Sequence, residues 1–427
     1  MLAQAARTGG AMRWRHYVTA QPDTRAGASF ASVFAVGEFR ALWTAQLLSV
    51  VGDQFARVAL TFLVYDRTKS ALLAAITFAA SVVPLFIGGI FLAGLADRLP
   101  RRRVLIGCDL ARLTLVLVMT LPGVPIGVLV GLLFTLTMLS PPFTSARAAI
   151  YADVLPDDRF AMGQAVTLTT YQLAQVAGFA VGGAVVAFAG VRPTLLADAA
   201  TFACSALISW IWVRARPAAR RAKGDTSAGS SHMSDVLAGV RLAFTIPGLR
   251  TPMLLGFLAA FYNAPEGVAA PLARSLGHTS AIGYILAAGA LGASVGAVLF
   301  SRLVGPATRL RLMRPLAVLA CLSLAAFAFR LPLPIALLIL FISGLFDCYQ
   351  VAASAAFVQT APPEHRSQVF GIAQAGMSLI QGAVLILAGA AAGSYAPTTV
   401  IAVSGLIGTL IALLIPAGHR IAERSRD

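Results

Sequence analysis

Between Gly94 and Arg103 the chain reads GLADRLPRRR, one carboxylate and four arginines set between two apolar stretches. Residues 71–95 carry no charge, and residues 104–121 carry only Asp109 and Arg112. So dense a charged hairpin cannot lie in hydrocarbon. It is expected as a short loop at a membrane face, and its arginine excess marks that face as cytoplasmic. A carboxylate at a helix end can accept backbone N–H bonds from a neighbouring helix start and pair with an arginine, while Gly94 lets two backbones approach. Gly94, Asp97, Arg98, Arg101 and Arg102 are therefore candidate parts of a gate on that face. Arg147, following Pro141 and Pro142, is a candidate partner. The plainer reading is that Asp97 and Arg98 only solvate a loop.

A second constellation lies in the first apolar stretch. Gln46, Ser49, Asp53, Arg57 and Thr61 fall within about 120° at 100° per residue, one polar stripe on an apolar rod. Such a stripe must face the protein interior or a wet cavity. An ionised Asp53 at mid-bilayer costs at least ~2.5 kcal/mol on insertion scales, and Arg57 one turn on offsets part of that. The pair is either an inert packing contact or a site for a proton or a substrate.

Similar signals recur downstream. Ser343, Asp347, Gln350 and Ser354 share about 60° of arc, and Tyr262, Asn263 and Glu266 stand beside Pro265 and Pro271, which are expected to break their helix. Asp198 is a further intramembrane acid, expected nearer the outer end. Tyr171 and Gln175 share a face with Thr167, Gly178 and Gly182, and Gln374 does so with Gly371, Ser378 and Gln381. These glutamines either line a cavity or make packing hydrogen bonds. Asp109 and Arg112, one turn apart, read as a structural pair supporting the charged loop.

The elements that must hold these groups follow from composition. Of 427 residues, 58% are hydrophobic and 12% charged, with a mean hydropathy of +0.81, where soluble domains carry about a quarter charged residues. Twelve apolar runs of about 20 residues, each able to cross a ~30 Å hydrocarbon core as a helix, lie between residues 41 and 416. The fold class is thus all-α and polytopic. The runs divide six and six about a polar, Gly/Ser-rich stretch: a tail over 1–38, helices over 39–213, a linker over 214–249 carrying a short amphipathic helix, helices over 250–416, and a tail over 417–427. SARAAIYADVLPDDR (145–159) and AASAAFVQTAPPEHR (352–366) align as weak internal copies, matching Pro156 with Pro363 and Arg159 with Arg366.

The net charge of +16 does not point to nucleic acid, because of where it lies. All but seven of the 33 Lys and Arg fall in the tails and on one set of loops. The exceptions are Arg57 and Arg112 within spans and Arg67, Lys69, Arg192, Arg274 and Arg330 opposite. That asymmetry places both termini in the cytoplasm, with basic loops against anionic headgroups. The four Cys lie in apolar runs without metal-type spacing and none of the five His is mid-helix, so no metal or cofactor is expected. GxxxxGK[ST], HExxH and GxSxG are all lacking, which argues against an ATP-driven pump and against an enzyme.

The loop GLADRLPRRR resembles the GxxxDRxxRR signature of the major facilitator superfamily, with Asp97, Arg98, Arg101 and Arg102 in matching places and Gly94 one residue nearer the aspartate than the signature glycine. SVVGDQFARVAL (49–60) resembles the first helix of its drug/proton antiporter branch, near macrolide and enterobactin exporters. The resemblance implies two six-helix bundles rocking about a central site in the cell membrane, with a monomer exporting an amphipathic small molecule against inward protons. Asp53, Asp347, Glu266 and Asp198, in that order, are then the candidates for the coupling proton. Uptake of a nutrient and a sensor without transport are the alternatives. Two departures stand out. SARAAI around Arg147 is not the fuller RxxQG motif, and only Gly182-Gly183 remains where antiporters carry a Gly-Pro pair followed by Gly-Gly.

Overall fold

The computed structural model describes residues 30–92, 95, 99–155, 158–216, 247–329, 331–360 and 366–415. The expectations for Gly94, Asp97 and Arg98, for the short amphipathic helix of the linker, for most of the first tail and for the tail after residue 416 lie outside those residues.

The described residues are helical, with no strand among them. A single turn, α1 (Phe30–Phe34), leads into α2 (Gly37–Thr68). At 32 residues α2 is ~48 Å long, more than the ~30 Å hydrocarbon core requires. Glu38 in its first turn suits the positive end of the helix dipole. Lys69 ends it in the left-handed conformation (φ 54°), donating its N–H to the Tyr65 carbonyl. Ser70 then caps α3 (Ala71–Ala79) by accepting the Leu73 N–H at 3.3 Å. The chain returns through α4 (Val83–Phe91), crosses again as α5 (Arg101–Met119), and comes back through α6 (Ile126–Met138) and α7 (Ser140–Val154), which Pro141 and Pro142 set off from α6. The long α8 (Asp158–Ala189) and α9 (Val191–Trp212) complete the first half of the chain.

The second half opens with a broken crossing. Pro252 lies inside α10 (Pro247–Phe257), and Pro265 and Pro271 fall in the short α12 (Ala264–Gly267) and α13 (Ala269–Ser275) that follow α11 (Ala259–Tyr262). The remaining helices are α14 (Ile282–Leu303), α15 (Pro306–Ser323), α16 (Leu333–Phe346), α17 (Tyr349–Thr360), α18 (Arg366–Ala391) and α19 (Pro397–Leu414). Among the described residues, ten helices are long and apolar enough to cross a membrane. The other two expected crossings differ for visible reasons. The segment α5 opens on three arginines and holds Asp109 and Arg112, while the segment α10–α13 is broken by its prolines.

Within the first half α2 is the hub, packed against α9, α8 and α3, and α5 packs on α9. Its inward residues Ala56, Val58, Ala59 and Leu60 are fully buried, whereas Phe188, Leu387 and Leu414 stand outward as expected of side chains facing lipid. In the second half α14 lies against α16, and α15 against α19. The two halves meet through α8 with α14 and α3 with α18. These contacts are tight at the end of the bundle away from Gly37 and Trp212, called here the far end. There a methyl group on Gly183 would collide with the backbone of Gly283, and one on Gly389 with the Ala75 side chain and the Ala71 carbonyl. Glycine at these places permits backbone contact between helices.

Bulk at that contact is expected to wedge the far end open. Gly183→Leu should cost the far-end contact about 1–3 kcal/mol of overpacking. A cysteine at Leu168, on the near side of α8, should then react more slowly with a membrane-impermeant maleimide applied to the face carrying Gly37 and Trp212. Unchanged labelling of a folded variant would contradict a closure built on Gly183 and Gly283.

Candidate functional site

Polar side chains from four helices of the first half border a cavity of about 460 Å³. Gln46, Ser49, Asp53 and Arg57 come from α2, Arg112 from α5, Arg147 from α7, and Gln164, Thr167 and Tyr171 from α8. Of the stripe anticipated on α2, Gln46, Ser49, Asp53 and Arg57 face this void, while Thr61 is fully buried away from it. Leu168, 66% exposed, and Tyr171 of α8 are its more open wall, on the near side of the Gly183–Gly283 contact. Arg147 lies well inside α7 rather than at its end. It is buried and stands over the Tyr151 ring at 5.8 Å, without a hydrogen-bond partner on Nε.

Behind this wall sits a cluster of charged groups. Arg112 is 1% exposed, donates to Ser49 Oγ at 3.0 Å and is flanked by the rings of Phe143 (5.3 Å) and Phe202 (5.5 Å). It acts electrostatically on Asp53, Asp109 and Asp198 together, yet among the described residues no carboxylate lies within 4.0 Å of it. Asp109, fully buried, accepts the Ser205 hydroxyl at 2.6 Å. Asp198 is fully buried, and no well-aligned donor reaches either carboxylate oxygen: the Thr201 hydroxyl stands beside the carboxylate but donates to the Asp198 backbone carbonyl at 2.7 Å. Gly52 makes room for it: any side chain there would collide with the Asp198 carboxylate and Thr201. Asp198 is therefore placed against the middle of α2 rather than near the outer surface. Arg57 likewise makes no ion pair with Asp53 within 4.0 Å. It donates to Gln54 Oε1 at 3.3 Å and to the Ser81 carbonyl at 3.2 Å.

A second cavity, of about 160 Å³, lies between the halves, lined by Gln172 and Gln175 of α8 and by Tyr262, Asn263, Glu266, Ser343 and Asp347 of the second half. Asp347 caps α16 and accepts the Tyr262 hydroxyl, while Asn263 sits in the break between α11 and α12. Glu266 accepts Gln381 Nε2 at 3.4 Å and is also acted on by Arg57 across the gap. Gln350 donates to the Gly256 carbonyl and to Tyr262 Oη, each at 3.1 Å, and shares a small pocket of about 30 Å³ with Gln374. The acids of the two halves thus face related voids, with Arg57 between them. Among the described residues no group of three or more His, Cys, Asp or Glu is arranged to hold a metal ion.

At the near end, the arginines of the charged loop tie helices together. Arg101 pairs with Asp153 of α7 at 2.5 Å, and Arg102 donates to the Trp210 carbonyl of α9. Asp153 also lies 3.7 Å from Arg216, which grips Glu38 of α2 with two donors. The hydrogen bonds to Glu38 hold the Arg216 guanidinium above its ordinary proton affinity. The whole first half is laced at this end.

A sequence profile of the Major Facilitator Superfamily matches residues 42–348. The chain belongs to this superfamily. It is also 26% identical over 390 residues to the multidrug efflux pump Tap of Mycolicibacterium fortuitum, covering 87% of this chain and 94% of that one. Among solved structures it resembles a POT family transporter in complex with a thioalcohol-conjugated peptide (TM-score 0.70, 12% identity, 88% of this chain and 95% of that one). It also resembles a bacterial homologue of the human lysosomal transporter Spinster in an inward-facing, unoccupied conformation (TM-score 0.65, 15% identity, 91% and 97%). At such identities these two likenesses concern the fold. The protein is a multi-pass membrane transporter and not an enzyme.

Within this superfamily member the structure brings Gln46, Asp53, Arg57, Arg147 and Tyr171 to one cavity and Gln175, Asn263, Glu266 and Asp347 to another. It seals Asp198 behind the first. Helical spacing alone pairs Arg112 with Asp109 as support for the loop, and it singles out none of Glu38, Asp153, Arg216 and Gln172. A lone arginine amid an apolar run was the available signal for Arg112. None existed for Glu38 and Arg216, far apart in the chain.

Removing Arg112 leaves its carboxylates without a buried countercharge. Arg112→Leu is expected to lose about 3–5 kcal/mol, seen as a lower unfolding midpoint in detergent, and Arg112→Leu with Asp109→Leu should recover most of it. Equal midpoints for the single variant and the parent would contradict the electrostatic role.

Proposed function

We propose that this transporter exports an amphipathic small molecule in exchange for protons, by alternating access between two helix bundles, residues 39–213 and 250–416. The observation that carries the reading is a pair of polar cavities, one walled by the first half and one between the halves. Asp53, Glu266 and Asp347 line them, and glycine-mediated contact packs the halves together at the far end. Ionisable side chains are tolerated in a bilayer-spanning bundle where they border a wet pathway. The name of the Tap relative supports outward movement of drug-like cargo. Acids outnumber free cations around the inter-half cavity, which suits a cationic or zwitterionic lipophile, Glu266 meeting its charge and Tyr262 its apolar part.

The arginine-rich near end faces the cytoplasm in this reading, by the positive-inside bias, so both termini are cytoplasmic and the closed far end faces outward. The closed contact, Gly183 on Gly283, then makes this an inward-open state of a monomer in the cell membrane. The gate that seals the cytoplasmic side in the opposite state is assigned to Gly94, Asp97, Arg98, Arg101 and Arg102. Arg147 stands at the cavity instead.

The test is transport by purified protein in proteoliposomes with ethidium, a lipophilic fluorescent cation, under an imposed proton gradient. Gradient-driven movement of ethidium against protons should fall by about tenfold or more, the equivalent of ~1.4 kcal/mol, in Asp53→Asn, and Glu266→Gln should weaken ethidium binding. Movement of cargo with protons rather than against them would identify an importer. The absence of flux from folded protein across a panel of lipophiles would leave a sensor.

A further inference from the structure

The charged cluster sealed behind the first cavity has no role in holding cargo, since Asp109 and Asp198 reach no void. Resting on the proton-exchange reading above, we propose that the exchanged proton is stored in this cluster, with Asp198 as its inner station and Asp53 as its port to the cavity. Cargo is met separately by Glu266 and Asp347.

The arrangement of donors supports this division. Three carboxylates, Asp53 of α2, Asp109 of α5 and Asp198 of α9, surround the single guanidinium of Arg112. Arg57 stands at the rim with donors given to Gln54 and Ser81. Arg147 of α7 faces the same cavity and repels Arg112, and Cys108 of α5 adjoins Arg112 and Asp109. The helix α8 brings no carboxylate, only Tyr171. Of the three acids Arg57 acts on Asp53 alone, so Asp109 and Asp198 share Arg112 as their cation, and in a dry interior that pair approaches neutrality by holding a proton on a carboxylate.

The hydroxyls that could stabilise a negative charge are already committed. Ser205 donates to Asp109, and Thr201 to a backbone carbonyl. Asp198 is left with two buried oxygens that no well-aligned donor reaches, the Thr201 hydroxyl alone standing beside them, which makes it a poor place for negative charge and the natural seat of a proton. Asp109 Oδ1, Asp53 Oδ1 and Arg112 Nε are unpartnered as well, so the cluster is not locked into one pattern.

The transfer involves no bond other than O–H. A proton leaves the Asp198 carboxyl as one joins the Asp53 carboxylate, and Asp53 gives it to cavity water. Gly52, the residue before Asp53, lies in contact with the Asp198 side chain, so α2 and α9 are in close contact where the proton passes. Once Asp198 is ionised it attracts the guanidinium of Arg112 away from Ser49. That shift would alter how α2, α5 and α9 pack, linking proton loss to movement of the helices that wall the cavity.

The test compares the full-length parent with Asp198→Asn in proteoliposomes, using ethidium throughout. Three readouts are taken: equilibrium binding, ethidium–ethidium exchange without a gradient, and gradient-driven movement. Asp198→Asn should keep binding and exchange within about twofold while losing gradient-driven acceleration by about tenfold or more. Full retention of acceleration overturns the proposal and leaves proton antiport intact. Loss of binding and exchange in a folded variant also overturns it, because the cluster then serves cargo or structure. A parent indifferent to the gradient sinks both readings.

Should Asp198→Asn not fold, Ser205→Ala decides. By stripping Asp109 of its donor it should move the pH midpoint of gradient-driven transport without altering ethidium binding at saturating pH. An unmoved midpoint overturns the proposal.

Discussion

Charge that must live without bulk water constrains this molecule more than any other factor. Arg112, sunk between two aromatic rings among Asp53, Asp109 and Asp198, gathers α2, α5 and α9 around one electrostatic centre. A buried guanidinium is costly unless opposite charge surrounds it, and three carboxylates are costly unless protons or a cation attend them. Each half of that problem stabilises the other. Because no carboxylate closes on the guanidinium within 4.0 Å, the centre also keeps room to rearrange. A tight ion pair would have fixed it.

The packing around the centre makes such rearrangement transmissible. Gly52 presses α2 onto the Asp198 side chain, and α2 in turn touches α8, whose Gly183 lies on Gly283 of the second half. A change in charge at Asp198 therefore has a mechanical path of close backbone contacts to the far-end closure. The ionic lacing at the near end, from Arg101 through Asp153 and Arg216 to Glu38, keeps the first half together while it tilts. Rigid bundles with a mobile seam are what alternating access requires.

Much of the fold was legible because membranes impose long apolar helices. Ten of the twelve expected runs appear among the described residues as helices of membrane length, and these and the polar stripe of α2 follow from hydropathy and a 100° repeat. The breaks at Pro265 and Pro271 were legible as well, since proline removes a helix donor. The site was legible as a set of residues and not as a map. Asp53 and Arg57 at i, i+4 suggested a pair, but Arg57 found better acceptors at Gln54 and Ser81. Asp109 and Arg112 suggested another pair, yet each turned to a serine on a different helix, Ser205 and Ser49. Helical spacing tells which residues share a face; the partner helix is set by tertiary packing, which one sequence does not encode visibly. The burial of Asp198 was hidden for the same reason, since it depends on Gly52 lying opposite it in space.

The central claim is that these ionisable groups border a chamber that opens at alternate ends. Spin labels on Phe160 and Leu303 report the near end of α8 and α14, and labels on Phe188 and Tyr284 report their far end. Pulsed electron–electron distance measurements on the full chain, at about pH 5 and about pH 8 with and without ethidium, follow both pairs. The account predicts that the two distances change together and in opposite directions as protons or cargo are added. Two distances that hold constant under all four conditions, or that widen in step, would contradict it.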